Sequence, residues 1–263
     1  MRRTLWSASR RQSRRAPPTI STWITPSLSR TPRIRNSRSI MKKTSNILHN
    51  KKGINTMNNK NFWETGKELL KNGAREEALE SFTEGHKSGD AKATFGLALM
   101  HYHGWAVDED KALASELFTS CYDELYRLAA MDEDCEAAFI LYRCYDTLST
   151  ERFVEADDDK ALEWLELSAV FHYMDAMYWL GIAYMGGTML PVEYDEWEAK
   201  ELFEECALIG GMPEAMIELG NICYWQRDLE GAREWYEKAL ESGDNGAKQR
   251  LEKLAKGENP TEE

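Results

Sequence analysis

The sequence predicts an all-α protein, an α/α right-handed superhelical solenoid of about four to five helix–turn–helix repeats. Three observations predict it. A string of Ala, then Glu two residues later, then a bulky residue four later, occurs at Ala78, Ala114, Ala161, Ala199 and Ala232. A second string, Ala-x-x-x-Leu, precedes each of the later copies. Three of the copies carry glycine eleven residues after the Ala, at Gly89, Gly210 and Gly243. Self-similarity at such spacing marks a repeat architecture.

The first string defines a helix termed B. Its bulky residues are Phe82, Phe118, Leu165, Phe203 and Tyr236, and seven residues after each Ala stands a small one: Gly85, Cys121, Ser168, Cys206 and Ala239. Seven residues is close to two turns, so Ala and the small residue share a face and admit a neighbouring helix. The bulky residue fills the groove beside them. Glycine then supplies the left-handed residue that stops a helix. Leu125 and His172 occupy that place in the other two copies.

The second string defines a helix termed A. It reads Ala93, Leu97, Ala98, His101, Gly104; then Ala137, Leu141, Tyr142, Tyr145; then Ala176, Leu180, Gly181, Tyr184, Gly187; then Ala215, Leu219, Gly220, Cys223. These spacings form one stripe of an amphipathic helix. Ala247 opens a final half-unit expected to cap the stack. The first unit is degenerate, with Phe62, Trp63, Gly66 and Leu69, ending near Gly73. The step from Ala114 to Ala161 is the longest and holds an extended segment, CYDELYRLAAMDEDCE, and the loop TERFVEADDD.

Charge divides the chain. Residues 1–56 hold 14 basic residues and no Asp or Glu, whereas the rest holds 19 Lys and Arg against 45 Asp and Glu, a net charge of −26. The domain reading is therefore a disordered basic leader over 1–56, a repeat domain over 57–256 and a disordered acidic tail over 257–263. The leader is rich in Arg, Ser, Thr and Pro without apolar periodicity, so it buries too little surface to fold. Three readings of it stand: an organellar transit segment, a basic arm, or upstream sequence translated from a start placed too early, the last preferred because the helical pattern begins only after Met57. The acidic body does not suit nucleic acid, and no run reaches the ~18 apolar residues of a membrane span. Five irregularly spaced cysteines without C-x-x-C read as reduced thiols of a cytoplasmic protein; a genuine transit leader would instead place it in an organelle.

Catalytic, cofactor and metal motifs are wanting: the sequence has no P-loop, GxSxG, HExxH or GxGxxG. His101 and His103 sit at i, i+2, on different sides of helix A, and His101 reads as packing. Asp157-Asp158-Asp159 reads as charge at the N-terminus of a B helix. No cofactor, no metal site and no enzyme activity is expected.

The string Ala-x-x-x-Leu-Gly-x-x-Tyr-x-x-Gly, followed by Lys-Ala-x-x-Trp, resembles the Sel-one-like repeat, a relative of the tetratricopeptide repeat with longer, more variable loops. DAMYWLGIAYMGG (175–187) and DKALEWLELSA (159–169) carry it best, and DLEGAREWYEKALESGD looks more like a plain tetratricopeptide helix. Tyr142 departs from the Gly or Ala expected there, so its unit should pack differently. The resemblance implies a non-enzymatic adaptor or scaffold whose A helices line a concave face that binds a partner protein or peptide. Counting from each A-helix Leu, the groove residues would include Phe95, Tyr102, Phe139, Arg143, Tyr178, Ile182, Met185, Asn221 and Tyr224. An organellar assembly factor imported through the leader is the alternative, and a hydrolase-type enzyme of the cysteine-rich relatives ranks last.

Overall fold

The computed structural model describes residues 61–151 and 153–261. Among the described residues there are eleven α-helices and no strand. They are α1 (Phe62–Lys71), α2 (Arg75–Ser88), α3 (Ala91–His103), α4 (Lys111–Met131), α5 (Cys135–Tyr145), α6 (Asp158–Val170), α7 (Met174–Tyr184), α8 (Glu196–Leu208), α9 (Pro213–Trp225), α10 (Leu229–Glu241) and α11 (Asn245–Lys256). Odd-numbered helices are the A helices and even-numbered ones the B helices. The architecture is an all-α helical repeat solenoid of five hairpins followed by α11, which closes the stack where Ala247 predicts a half-unit. The first unit, degenerate in sequence, still forms a full hairpin. The basic leader, residues 1–56, lies outside the described residues.

Aspartate starts most of these helices. Asp90, Asp110, Asp134, Asp157, Asp195, Asp228 and Asp244 are N-caps, each accepting a backbone N–H of the first turn. Such a carboxylate satisfies an orphan donor and complements the positive end of the helix dipole. Seven of the 45 acidic residues therefore have a local structural role, among them the first of the run that begins at Asp157.

Packing follows the two strings. All five B-helix alanines are fully buried, as are Ser168, Cys206 and Ala239 seven residues on. The A-helix residues Ala93, Ala137, Ala176 and Ala215 face them, also fully buried. The bulky B-helix residue seats against an A-helix glycine of its own hairpin. A Cβ on Gly66, Gly181 or Gly220 would lie 2.2, 2.6 or 2.4 Å from the ring of Phe82, Phe203 or Tyr236. In the third hairpin the sizes are exchanged: Tyr142, buried, stands at the glycine place, and Leu165 stands where an aromatic ring is usual.

Helix stops agree with expectation at Gly89 and Gly243, whose φ values are +83° and +98°. At the fourth hairpin the left-handed residue is Gly211 (φ +64°), one beyond the predicted Gly210. His172 adopts φ +59° without being glycine. Leu125 ends nothing, because α4 continues through CYDELYRLAAM for 21 residues in all. At the C-terminus Gly257 (φ +73°) stops α11, the Glu258 N–H donates to the Lys253 carbonyl as in a helix C-cap, and Pro260 is buried.

Loops between A and B helices vary most, with long ones at 104–110, 146–157 and 185–195. Each closes in the same way. The N–H of Asp110, Asp157 or Asp195 donates to the carbonyl of His101, Tyr145 or Tyr184, at 2.9, 2.9 and 3.0 Å. The hairpin geometry is thereby held constant while loop length changes outside the clamp, which places variable segments along one edge of the solenoid.

Polar contacts join units at several points, two of them with titratable groups whose pKa the pairing shifts. The Glu136 carboxylate on α5 bonds Lys67 of α1 and Lys92 of α3, the latter at 3.2 Å, and Lys92 also pairs with Asp134 at 2.9 Å. Burial alone would raise the Glu136 pKa, but the hydrogen bonds and charges of the two lysines outweigh it and hold the carboxyl below its usual range. Further along, His172 Nδ1 meets Glu205 Oε1 at 2.8 Å, tying the end of α6 to α8.

Candidate functional site

A cavity of about 260 Å³ opens on the A-helix side between the third and fourth hairpins. From α5 and its end come Phe139, Tyr142, Arg143 and Asp146; from α7 comes Trp179; residues 148–151 and Thr188 complete it. The α5 contribution has a simple origin: residues 139, 142, 143 and 146 recur at three- and four-residue spacing and so share one stripe of the helix. Trp179 is 41 % exposed, unusual for so large a side chain.

The floor is fixed by a buried carboxylate. Glu151 Oε1 receives Arg143 Nη2 at 3.2 Å and faces His103 Nε2 at 3.0 Å, while Oε2 accepts from Ser149 Oγ at 3.0 Å. Burial would raise its pKa, but the Arg143 charge and the bonds from His103 and Ser149 prevail and keep it ionised. His103 also stacks on Trp105, with ring centroids 4.5 Å apart. Two residues on, Phe153 stacks with Phe118 at 4.9 Å and meets Phe95 and Tyr102 edgewise or tilted. The Tyr102 hydroxyl donates to the Thr150 carbonyl at 3.0 Å. The 146–157 loop is thus pinned across α3 and α5, and it forms one wall of the cavity.

The predicted groove residues divide into three groups. Phe139 and Arg143 line the cavity together. Tyr102, Tyr178, Ile182, Met185 and Tyr224 are half-buried on the A helices without lining it. Tyr102 is covered by the loop, and Tyr178 leans on Phe203 with centroids 5.8 Å apart. Phe95 and Asn221 are corrected to internal positions. Phe95 is enclosed by Trp63, Phe118 and Phe153. Asn221 is buried, accepting from Tyr236 Oη at 2.8 Å and donating to Glu218 at 3.1 Å. Counting along one helix does not show which side chains of neighbouring elements cover a position: Trp63, Phe118 and Phe153 for Phe95, and Tyr236 for Asn221. Trp179 and the 148–151 segment are additions. Trp179 is adjacent to the Leu180 stripe position and lies outside the counted register; its signal was a large aromatic at a place the amphipathic pattern leaves outward.

Reactive groups are muted. Burial pushes the thiols of Cys121 and Cys206 up to about 12, so they stay protonated and poorly nucleophilic. Burial likewise raises the phenol of Tyr142. No cluster of three His, Cys, Asp or Glu side chains able to hold a metal ion occurs among the described residues. No helix among them is long and apolar enough to cross a membrane.

Hairpins of small-residue stripes with glycine–aromatic joints define the class of α/α repeat solenoids. Within it, the Sel1 repeat matches residues 91–120, 125–169 and 175–208, which are hairpins two to four, and the Tetratricopeptide repeat matches 213–244, the fifth. The chain belongs to the Sel1-like repeat family. It is similar in structure to a Sel1 repeat protein from Oxalobacter formigenes at 21 % identity, TM-score 0.55, over 84 % of this chain and 91 % of that one. It is also similar to c5321, a protective antigen of uropathogenic Escherichia coli with the same repeat fold, at 22 % identity and TM-score 0.51. That match covers 77 % of this chain but 44 % of the antigen. No curated protein sequence matches closely enough to count as a relative. Repeats of this family generally serve as scaffolds for protein–protein interaction, and their fold is typically non-enzymatic.

Proposed function

We propose that this protein is a non-enzymatic adaptor that holds a partner protein or peptide on its A-helix face, at the cavity between the third and fourth hairpins. The observation that carries the reading is the cavity's composition: Phe139, Arg143 and the exposed Trp179 converge there. Trp, Tyr and Arg dominate binding hot spots because they combine large contact area with a directed polar group. The Glu151 bond pre-orients Arg143, which lowers the entropy lost on binding. Tyr178, Ile182, Met185 and Tyr224 would extend the contact along the neighbouring A helices. Five unpaired thiols, four of them buried, support a reducing compartment such as the cytoplasm.

Affinity capture with the wild-type chain and a Phe139→Ala/Trp179→Ala variant tests the reading. Hot-spot truncations cost about 2 kcal/mol each, so a direct partner should be bound at least about thirtyfold more weakly while far-UV circular dichroism is unchanged. A partner retained at full strength by the folded variant would refute the placement.

A further inference from the structure

A second exposed apolar surface shares no residue with the cavity. Tyr194, Trp197, Trp225 and Leu229 are 61, 50, 49 and 53 % exposed. They lie at the edge where A helices end and B helices begin in hairpins four and five. Tyr194 precedes the N-cap Asp195 of α8 and Trp197 is the second residue of that helix, Trp225 ends α9, and Leu229 opens α10. A hydrogen bond from Gln226 Nε2 to Glu196 Oε1, 2.7 Å, stitches these neighbourhoods together, and Tyr194 Oη donates to the other oxygen of the same carboxylate at 3.0 Å. Large aromatic side chains grouped at half exposure are a liability in water unless something covers them.

Charge decides what that is. Of the fourteen residues 192–205, seven are acidic and one is basic, and the body as a whole carries −26. An anionic lipid surface or nucleic acid would be repelled. A second copy meeting this patch about a two-fold axis would bring like charge against like. A polypeptide with Lys or Arg beside apolar residues would gain on both counts. The acids would steer it, and exposed Trp and Tyr faces attract ammonium and guanidinium groups as well as apolar side chains.

We propose that this edge is a docking surface for a cationic amphipathic segment of another protein, independent of whatever occupies the cavity. The chain's own residues 1–56, with 14 basic and no acidic residues, share that chemistry, so the test must separate the two sources.

The full chain is titrated into a labelled synthetic Leu/Lys amphipathic peptide, with oligolysine and a Leu/Glu peptide in parallel, and binding is read by fluorescence anisotropy. Replacing Trp197 and Trp225 with Ala should weaken the Leu/Lys peptide about tenfold or more. Oligolysine, which attaches by charge alone, should change by less than about twofold. Circular dichroism checks the fold, and Tyr194→Ala/Leu229→Ala serves as a second variant with the same expected loss. Unchanged affinity in both folded variants overturns the proposal, as does equal binding of the Leu/Glu peptide. Zero-length carboxyl–amine cross-links from Lys42, Lys43, Lys51 or Lys52 into residues 193–230 of the same chain would assign the surface to the leader. A dimer in light scattering that the variants dissolve would assign it to a second copy. Either result also overturns the proposal.

Discussion

Replacing Gly220 with Ala should destabilise the fifth hairpin, although alanine is the better helix former. A Cβ at this position would lie 2.4 Å from Cε1 and 2.6 Å from Cδ1 of Tyr236. The ring has nowhere to go: Tyr236 is fully buried, and its hydroxyl is anchored on Asn221 at 2.8 Å. Helix propensity favours the change by about 1 kcal/mol. Overpacking a filled core opposes it by about 1–3 kcal/mol, and straining or losing the buried hydrogen bond adds about 1 kcal/mol. The net expectation is a loss of about 1–3 kcal/mol. Repeat arrays distribute stability by unit and by nearest-neighbour interface, so the loss should be local. Hydrogen exchange should quicken in α9, α10 and α11 while α2 and α3 keep their protection. Tyr236→Leu should also destabilise on its own, yet the double variant should recover at least about 1 kcal/mol relative to additivity, because a smaller side chain makes room for the new methyl. The third hairpin carries this kind of exchange already, with Tyr142 at the glycine place and Leu165 opposite in the pattern. A Gly220→Ala protein that is more stable by the helix-propensity amount, with an additive cycle, would refute the glycine–aromatic joint.

Two further predictions concern the contacts between units. Glu136→Ala leaves Lys67 and Lys92 without their shared buried carboxylate; breaking a fully buried pair costs about 3–5 kcal/mol, and partial exposure of Lys67 reduces this to about 1–3 kcal/mol by denaturant unfolding. Because the folded pKa of Glu136 is depressed, its contribution is present above the ordinary carboxylate pKa and is lost as pH falls through the lowered value, so the wild-type advantage over Glu136→Gln should vanish in acid; an advantage that persists there would count against it. His172 shows the opposite sign. The hydrogen bond to Glu205 raises its pKa, against burial that lowers it. Its contribution, about 1 kcal/mol or less, is full below the ordinary histidine pKa of about 6.5 and is lost as pH rises through the raised one. Melting temperatures of wild type and His172→Gln should therefore converge toward alkaline pH, and a constant difference would remove the ion pair from the account.

The fold was legible in the sequence because small residues and glycines sit where two helices must touch, and such places admit few side chains. Ala78 and its four counterparts could be read directly as buried. The first hairpin was harder, since Phe62 and Trp63 break the Ala-x-x-x-Leu string, yet Gly66 still receives Phe82. Helix ends were less exact: either Gly210 or Gly211 can supply a left-handed residue, and the sequence alone does not choose. The candidate site was only partly legible. Phe139 and Arg143 follow from helix geometry, whereas the burial of Phe95 depends on Phe153, which reaches it from a loop 58 positions along the chain. Such a contact has no local signature. Trp179 was missed for the converse reason, since its exposure depends on how far apart α5 and α7 stand and on where residues 148–151 lie.

The central functional claim is that the cavity between hairpins three and four is where a partner is held. Photo-cross-linking inside the native cell tests it most directly, with benzoylphenylalanine in place of Trp179 and, as control, in place of the exposed Glu77 on α2. The account predicts a discrete cross-linked protein from position 179, lost when Phe139 is also changed to Ala, and none from position 77. Cross-links of equal yield from both positions, or none from 179 in cells where the protein is abundant and folded, would contradict it.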